Sequence, residues 1–165
     1  MLPWCINNKN HLCFNCTFNV SYSLVRMQSH IDDATCMTVI SDVSSLLFNG
    51  SPLSTVADAL GSLNDAIFST KMVLLPLMYQ SCWCLVVILN LPTVSHTLEG
   101  DCNCNDALPM MLMLHPDKDQ IKHGHYVISE KIRSLLNCLW LRRYNSTSMK
   151  PFTAKSMPFH VLDGE

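Results

Sequence analysis

Residues 72–92, MVLLPLMYQSCWCLVVILNLP, decide the fold of this chain. They contain two apolar runs, residues 72–77 and 82–91, which are separated by residues 78–81. The second run carries the consecutive β-branched residues Val86, Val87 and Ile88, which are typical of buried strands. The stretch therefore predicts two buried β-strands joined by a tight connection.

Helical patterns precede this pair of strands. Residues 32–48 place apolar side chains at helix-like spacing, and residues 53–68 repeat the pattern with Ser54 as a candidate N-cap. Between them, residues 49–52 read Asn-Gly-Ser-Pro, a turn signal. Two helices are therefore expected before the strands.

After the strands the pattern is again mixed. Residues 110–114 predict a third strand, and residues 127–141 predict an amphipathic helix. From residue 145 onward the chain is polar and is expected to be irregular. Helices followed by strands and a further helix indicate an α+β or α/β fold.

Composition limits the function classes. Of the 165 residues, 48% are hydrophobic and 15% charged, which is unlike a disordered chain and sufficient for a core. The formal net charge of −2 provides no basic face, so nucleic acid is not an expected partner. Nine cysteines without a secretory signal indicate free thiols, and thus a nuclear or cytoplasmic protein.

Several local patterns resemble the Ulp-type (SUMO-specific) family of cysteine peptidases, in the family's order and roughly at its spacing. The matching segments are FNCTF at 14–18, IF at 67–68, MVLLPL at 72–77, CWCLVVI at 82–88, LHPDK at 114–118, and the helix of residues 132–140 that ends near a Trp.

The resemblance implies the α+β, papain-like fold of this family, with a central sheet flanked by helices. Residues 11–144 would form the Ulp-protease-like core, between an N-terminal tail of residues 1–10 and an irregular tail of residues 145–165. We expect the fold to be incomplete at its C-terminal end. The family hydrolyses the peptide or isopeptide bond at the C-terminus of SUMO-type modifiers, so SUMO or another ubiquitin-like modifier is the implied partner, and no cofactor is implied.

The resemblance also assigns the catalytic positions. Asp117 matches the acid of the triad, whereas Cys82 stands where the family has the catalytic His. Trp83 matches the Trp that covers the modifier's Gly-Gly tail. The family's D-C-G nucleophile segment and its preceding Gln have no counterpart, since no cysteine follows Cys138. A cysteine peptidase needs thiolate, base and acid together, so we expect no peptidase activity.

Three alternatives remain open at this stage. The Cys82–Trp83 pair is also similar to the nucleophile segment of papain, where the Cys opens a helix. A zinc site is a second alternative, with candidate ligands Cys13, Cys16, Cys102, Cys104, and His96 or His115. The third is a membrane anchor over residues 72–94, a span without charged residues that is interrupted by prolines and polar residues. For the soluble-domain hypothesis a membrane is not an expected partner.

Overall fold

A computed structural model describes residues 37–40, 43–80, 82–94, 108–115, 124–145 and 150–163. These residues form five strands and four α-helices. In chain order they are β1 (Met37–Val39), α1 (Ser44–Phe48), α2 (Leu53–Ala59), a 3-10 turn (Gly61–Leu63), α3 (Asn64–Ser69), β2 (Met72–Tyr79), β3 (Cys82–Leu89), β4 (Met110–His115), α4 (Gly124–Arg143) and β5 (Phe159–Asp163).

The strands form one sheet in the order β1-β2-β3-β4-β5. The central strands pair antiparallel, β2 with β3 and β3 with β4. The outer pairs, β1 with β2 and β4 with β5, are parallel. A parallel pair needs a crossover connection, and α4 provides it between β4 and β5. The architecture is α+β, as expected.

The two strands that were predicted to decide the fold form the centre of this sheet. Tyr79 pairs with Cys82 and closes the hairpin between β2 and β3. Gln80, in the connection, has a φ of +48°, a left-handed conformation that suits the tight turn between twisted strands. The third predicted strand, β4, is also confirmed.

Pro76 lies inside β2 without disrupting it. The N–H of Ile40 donates to the carbonyl of Leu74 at 2.9 Å, which is the last described bond between the β1 segment and β2. Pro76 has no N–H that could donate to the next carbonyl in this ladder. Further along β2, the N–H of Met78 donates to the Ser44 hydroxyl at 2.6 Å. A side chain of α1 therefore accepts the hydrogen bond of this backbone group.

One face of the sheet, here called the inner face, packs on the helices. It presents alternate residues of the three central strands, all of them buried: Val73, Leu75, Leu77, Cys84, Val86, Ile88, Met111 and Met113. The opposite, outer face carries the other alternate positions. Leu74 is buried there among the partly buried Met72, Leu85 and Val87, in a separate cluster. Sheet-on-helix packing of the inner face therefore forms the main core.

Two buried side chains of helix α4 form hydrogen bonds with the backbone of the segment that leads into β5. The buried Asn137 side chain accepts the N–H of Phe152 at 3.0 Å and donates to its carbonyl at 2.9 Å. One turn earlier, the buried Arg133 donates to the carbonyl of Met157 through two nitrogens, at 3.2 and 3.0 Å. Two side chains at i and i+4 thus position residues 150–158 against the core.

Three predictions of secondary structure were wrong. Residues 32–48 do not form one helix, since β1 occupies residues 37–39 and α1 begins at Ser44. Residues 53–68 are broken into α2, the 3-10 turn and α3, and Pro52 rather than Ser54 is the N-cap of α2. The tail predicted to be irregular contains strand β5, because β4 offers it a pairing edge.

Residues 72–79 and 82–89 are strands at the centre of the sheet, so the alternative of a membrane-spanning helix over residues 72–94 does not match the structure. Across the described residues, no helix combines the length and the apolar character that crossing a membrane would require.

Candidate functional site

Cys82 is the first residue of β3 and lies directly opposite Tyr79 of β2. The Tyr79 ring packs edge-on against Phe48 of α1, with ring centroids 5.1 Å apart. The backbone of Cys82 is therefore held at the end of the central hairpin, beside a packed aromatic pair. The position of Tyr79 follows from the hairpin register and was not predicted from the sequence.

Trp83 and Cys84 lie on opposite faces of β3 because side chains alternate along a strand. Trp83 is partly buried and pairs with Met78 on the outer face. Cys84 is 4% exposed on the inner face, and its thiol donates to the carbonyl of Leu77 at 3.5 Å. Cys84 is thus an ordinary core cysteine, whereas Trp83 belongs to the other side of the sheet.

The start of β3 and the ends of β4 and β5 lie near one another, at the end of the sheet where β3 begins. Since β3 and β4 are antiparallel, the start of β3 lies beside the end of β4 at His115. Since β4 and β5 are parallel, Asp163 at the end of β5 pairs with His115. We call this edge, with Cys82, His115 and Asp163 as its strand ends, the site edge.

The other predicted site residue, Asp117, lies outside the described residues. It follows the last residue of β4, His115, by two positions in the sequence. Five of the six candidate zinc ligands also lie outside the described residues: Cys13, Cys16, His96, Cys102 and Cys104. The sixth, His115, is the last residue of β4. Within the part of the chain that the structure does describe, no group of His, Cys, Asp and Glu could hold a metal ion.

The papain-like alternative for Cys82 is wrong at the level of secondary structure. A papain-type nucleophile opens a helix, whose N-terminus helps to lower the thiol pKa. Cys82 instead opens a strand in the middle of a sheet. Its backbone position is that of the residue before Trp83, at the start of the second strand of a β-hairpin.

The chain is similar to solved structures but matches no family model and no curated protein by sequence. Among solved structures, it is similar to the crystal structure of a de-sumoylating protease, with a TM-score of 0.50 and 15% identity over 88% of this chain and 50% of that one. It is also similar to a mutant of XopD from Xanthomonas, with a TM-score of 0.46 and 14% identity over 78% of this chain and 64% of that one.

The chain has the papain-like cysteine protease fold. The likeness to the de-sumoylating protease supports this assignment and, at 15% identity, extends to the fold alone. The chain spans half the length of that protease.

Proposed function

We propose that this chain is a Ulp-protease-like domain that binds the C-terminal tail of SUMO or another ubiquitin-like modifier without cleaving it, in the nucleus or cytoplasm. The proposal is carried by the likeness in fold to a de-sumoylating protease, combined with the place of Cys82 and Trp83 at the site edge. Because fold alone does not specify function, the residues at the site edge decide between a binding role and a catalytic one.

Asp117 is proposed as the acid position on the resemblance alone. It follows His115, the last residue of β4, by two positions in the sequence. The described register between β3 and β4 ends at the pair of Leu85 with Leu114. Position 82, at the start of β3, is proposed as the base position of the same protease-like triad.

The side chain at position 82 is the reason for proposing inactivity. The triad base must take a proton from the nucleophile and return it to the leaving amine, as an imidazole does near neutral pH. A thiol with an ordinary pKa of about 8.5 does not carry out this cycle. Loss of a single triad member costs several orders of magnitude in rate. Asp117 would then have no imidazole to orient.

Trp83 is the residue proposed to retain binding. Its indole lies on the outer face, partly buried, next to Met78 across the hairpin. A flat aromatic ring of this kind covers an extended glycine-rich tail with little loss of conformational entropy. Binding of the tail requires no nucleophile and no base, so the loss of catalysis leaves this role unaffected.

Titration of the unlabelled chain into isotope-labelled SUMO, followed by NMR, tests the proposal. We expect shift changes confined to the C-terminal tail of SUMO and the surface around it. Trp83→Ala should weaken this binding about tenfold or more, because buried interface tryptophans are typical hot spots. Tyr126→Ala is the matched control, since Tyr126 is a 73%-exposed aromatic residue on α4, and should leave the binding unchanged. A folded, soluble chain that causes no shifts would overturn the proposal.

A further inference from the structure

The turn between α1 and α2 begins with the sequence Asn49-Gly50-Ser51. Asn49 is the C-cap residue of α1, with a φ of −86° and a ψ of 8°, and Gly50 follows it with a φ of +86°. Both residues are exposed. Nowhere else in the sequence does an asparagine directly precede a glycine. This order has a chemical consequence, because the backbone nitrogen of a glycine approaches the preceding side-chain amide without obstruction from a Cβ atom.

The side-chain amide of Asn49 is polarised by Ser51. Its oxygen Oδ1 accepts the Ser51 N–H at 3.0 Å and the Ser51 hydroxyl at 2.7 Å. Two donors on one carbonyl oxygen stabilise the negative charge that develops there when a nucleophile adds to the carbon atom. The carbon Cγ of Asn49 is therefore a better electrophile than that of an asparagine whose oxygen has no donor.

Gly50 leaves room for the backbone to rearrange. A Cβ atom placed at Gly50 would meet no heavy atom within 4 Å, so the turn is open at this position. Glycine also populates both signs of φ about equally. The rotation about the Cα–C bond of Asn49 that brings the nitrogen of Gly50 toward Cγ therefore meets no packed neighbour at Gly50.

We propose that Asn49 is a site of spontaneous deamidation through a cyclic succinimide. A base in solution removes the N–H proton of Gly50, and the nitrogen adds to Cγ of Asn49 to close a five-membered ring. The bond from Cγ to the side-chain nitrogen then breaks, and this nitrogen takes up a proton and leaves as ammonia. Water opens the ring at either carbonyl, which gives aspartate or isoaspartate at position 49. No step involves oxidation or reduction.

The products change the C-terminal end of α1. Either product replaces a neutral amide by a carboxylate, so the formal net charge falls by one from −2. The helix dipole disfavours an anion at this end of a helix. Isoaspartate also adds a carbon atom to the main chain directly after Phe48, whose ring packs against Tyr79 with centroids 5.1 Å apart. Deamidation thus alters the turn that follows the support of the central hairpin.

Incubation of the purified chain at mildly alkaline pH, followed by peptide mass spectrometry, tests the proposal. The peptide that contains Asn49 should gain the mass difference between –NH2 and –OH, and protein isoaspartate methyltransferase should label it. Asn145, which is exposed but precedes a serine, should keep its amide over the same period. This measurement needs no modifier, so its failure is distinct from failure of the proposed function.

Asn49→Gln is the decisive variant and should abolish the mass change, because the longer side chain closes a six-membered ring much more slowly. Asn145→Gln is the matched control and should leave the mass change at Asn49 unaltered. Both variants keep a neutral amide at an exposed position. A mass change that persists in the region of residue 49 after Asn49→Gln would overturn the proposal.

Two further variants test the neighbours. Gly50→Ala should slow the reaction at least about tenfold, because a Cβ atom shields the nitrogen and restricts the rotation. Ser51→Ala removes the hydroxyl donor and should slow the reaction about threefold, less than in a buried oxyanion hole because this turn is exposed. The proposal would be overturned by a wild-type Asn49 that outlasts Asn145, or by an unchanged rate in Gly50→Ala. A rate in Ser51→Ala at or above that of the wild type would overturn the activation by Ser51.

Discussion

Polar residues are used differently in two parts of this molecule, the scaffold around α4 and the site edge at the start of β3. On α4, Asn137 and Arg133 are buried and hydrogen-bonded to the backbone of residues 150–158. At the site edge, Cys82 stands where the resemblance places a catalytic base. The buried polar side chains that hold residues 150–158 keep their hydrogen-bond partners, whereas position 82 carries a thiol where the resemblance places an imidazole. The difference indicates that a fold is maintained by other residues than those that perform a reaction.

The largest expected effect is the loss of stability on removing the buried amide of Asn137. Asn137→Ala leaves both the N–H and the carbonyl of Phe152 buried without their partners. We expect the free energy of unfolding to fall by roughly 2–4 kcal/mol, since each unsatisfied buried group costs about 1–3 kcal/mol. Urea unfolding measures this loss. Ser134→Ala, on the exposed side of the same helix, is the control and should change stability by less than about 0.5 kcal/mol. A loss below 1 kcal/mol for Asn137→Ala would show that the anchor is dispensable.

The sequence predicted the existence of α4 but not its anchoring role. The apolar positions Ile128, Ile132 and Leu136 recur at helical spacing, so the helix follows from local pattern alone. Arg133 and Asn137 lie next to this stripe, one turn apart, and were not recognised as buried. Polar residues at i and i+4 beside an apolar stripe are equally typical of a solvated helix face, and the partners Met157 and Phe152 become neighbours only in the folded chain.

The strands also differ in how far their own sequence predicts them. Strands β2, β3 and β4 consist of long apolar runs, which are recognisable as strands from the sequence alone. The three-residue β1 and the five-residue β5 are defined by the neighbours that pair with them, β2 and β4. Their own sequences are too short for periodicity to separate strand from helix or loop. Tertiary pairing therefore decided where local patterns were ambiguous.

For the candidate site, the apolar run of residues 82–91 predicted that Cys82 and Trp83 would open a strand, and this is confirmed. Their separation onto two faces of the sheet also follows from strand alternation. Asp117 lies outside the described residues, so its role as the acid stays a prediction from the resemblance. The pairing of Cys82 with Tyr79 required the hairpin register, which no single segment of the sequence contains.

A smaller effect is expected at the C-terminal end of α4, where the polar contacts are exposed. Arg142 donates to the Asp58 carboxylate at 2.6 Å and to the carbonyl of Ser54 at 3.1 Å, which links α4 to α2. The hydrogen bond with Asp58 raises the pKa of the Arg142 guanidinium, so Arg142 is charged over the whole practical pH range. Asp58 is nevertheless 70% exposed, and exposed pairs typically contribute only about 0–1 kcal/mol.

Arg142→Ala should accordingly lower the free energy of unfolding by less than about 1 kcal/mol, and the loss should shrink as salt screens the pair. A double-mutant cycle with Asp58→Ala, measured by urea unfolding at low and high salt, isolates the coupling between the two side chains. A coupling as large as the loss for Asn137→Ala would mean that burial does not distinguish the two ends of the helix.

The smallest expected effect is at the site edge itself, and it concerns activity. Cys82→His restores the residue type that the resemblance assigns to the base position, next to Trp83. We expect this variant of the 165-residue chain to show no detectable cleavage of a SUMO precursor, because no cysteine follows Cys138 to act as nucleophile. Cys82→Ala is the control for any change in background hydrolysis, and an active protease of this fold verifies the assay. Cleavage by Cys82→His, absent in Cys82→Ala, would show that another group in the chain supplies the nucleophile. The proposed loss of catalysis would then reduce to a single substitution at position 82.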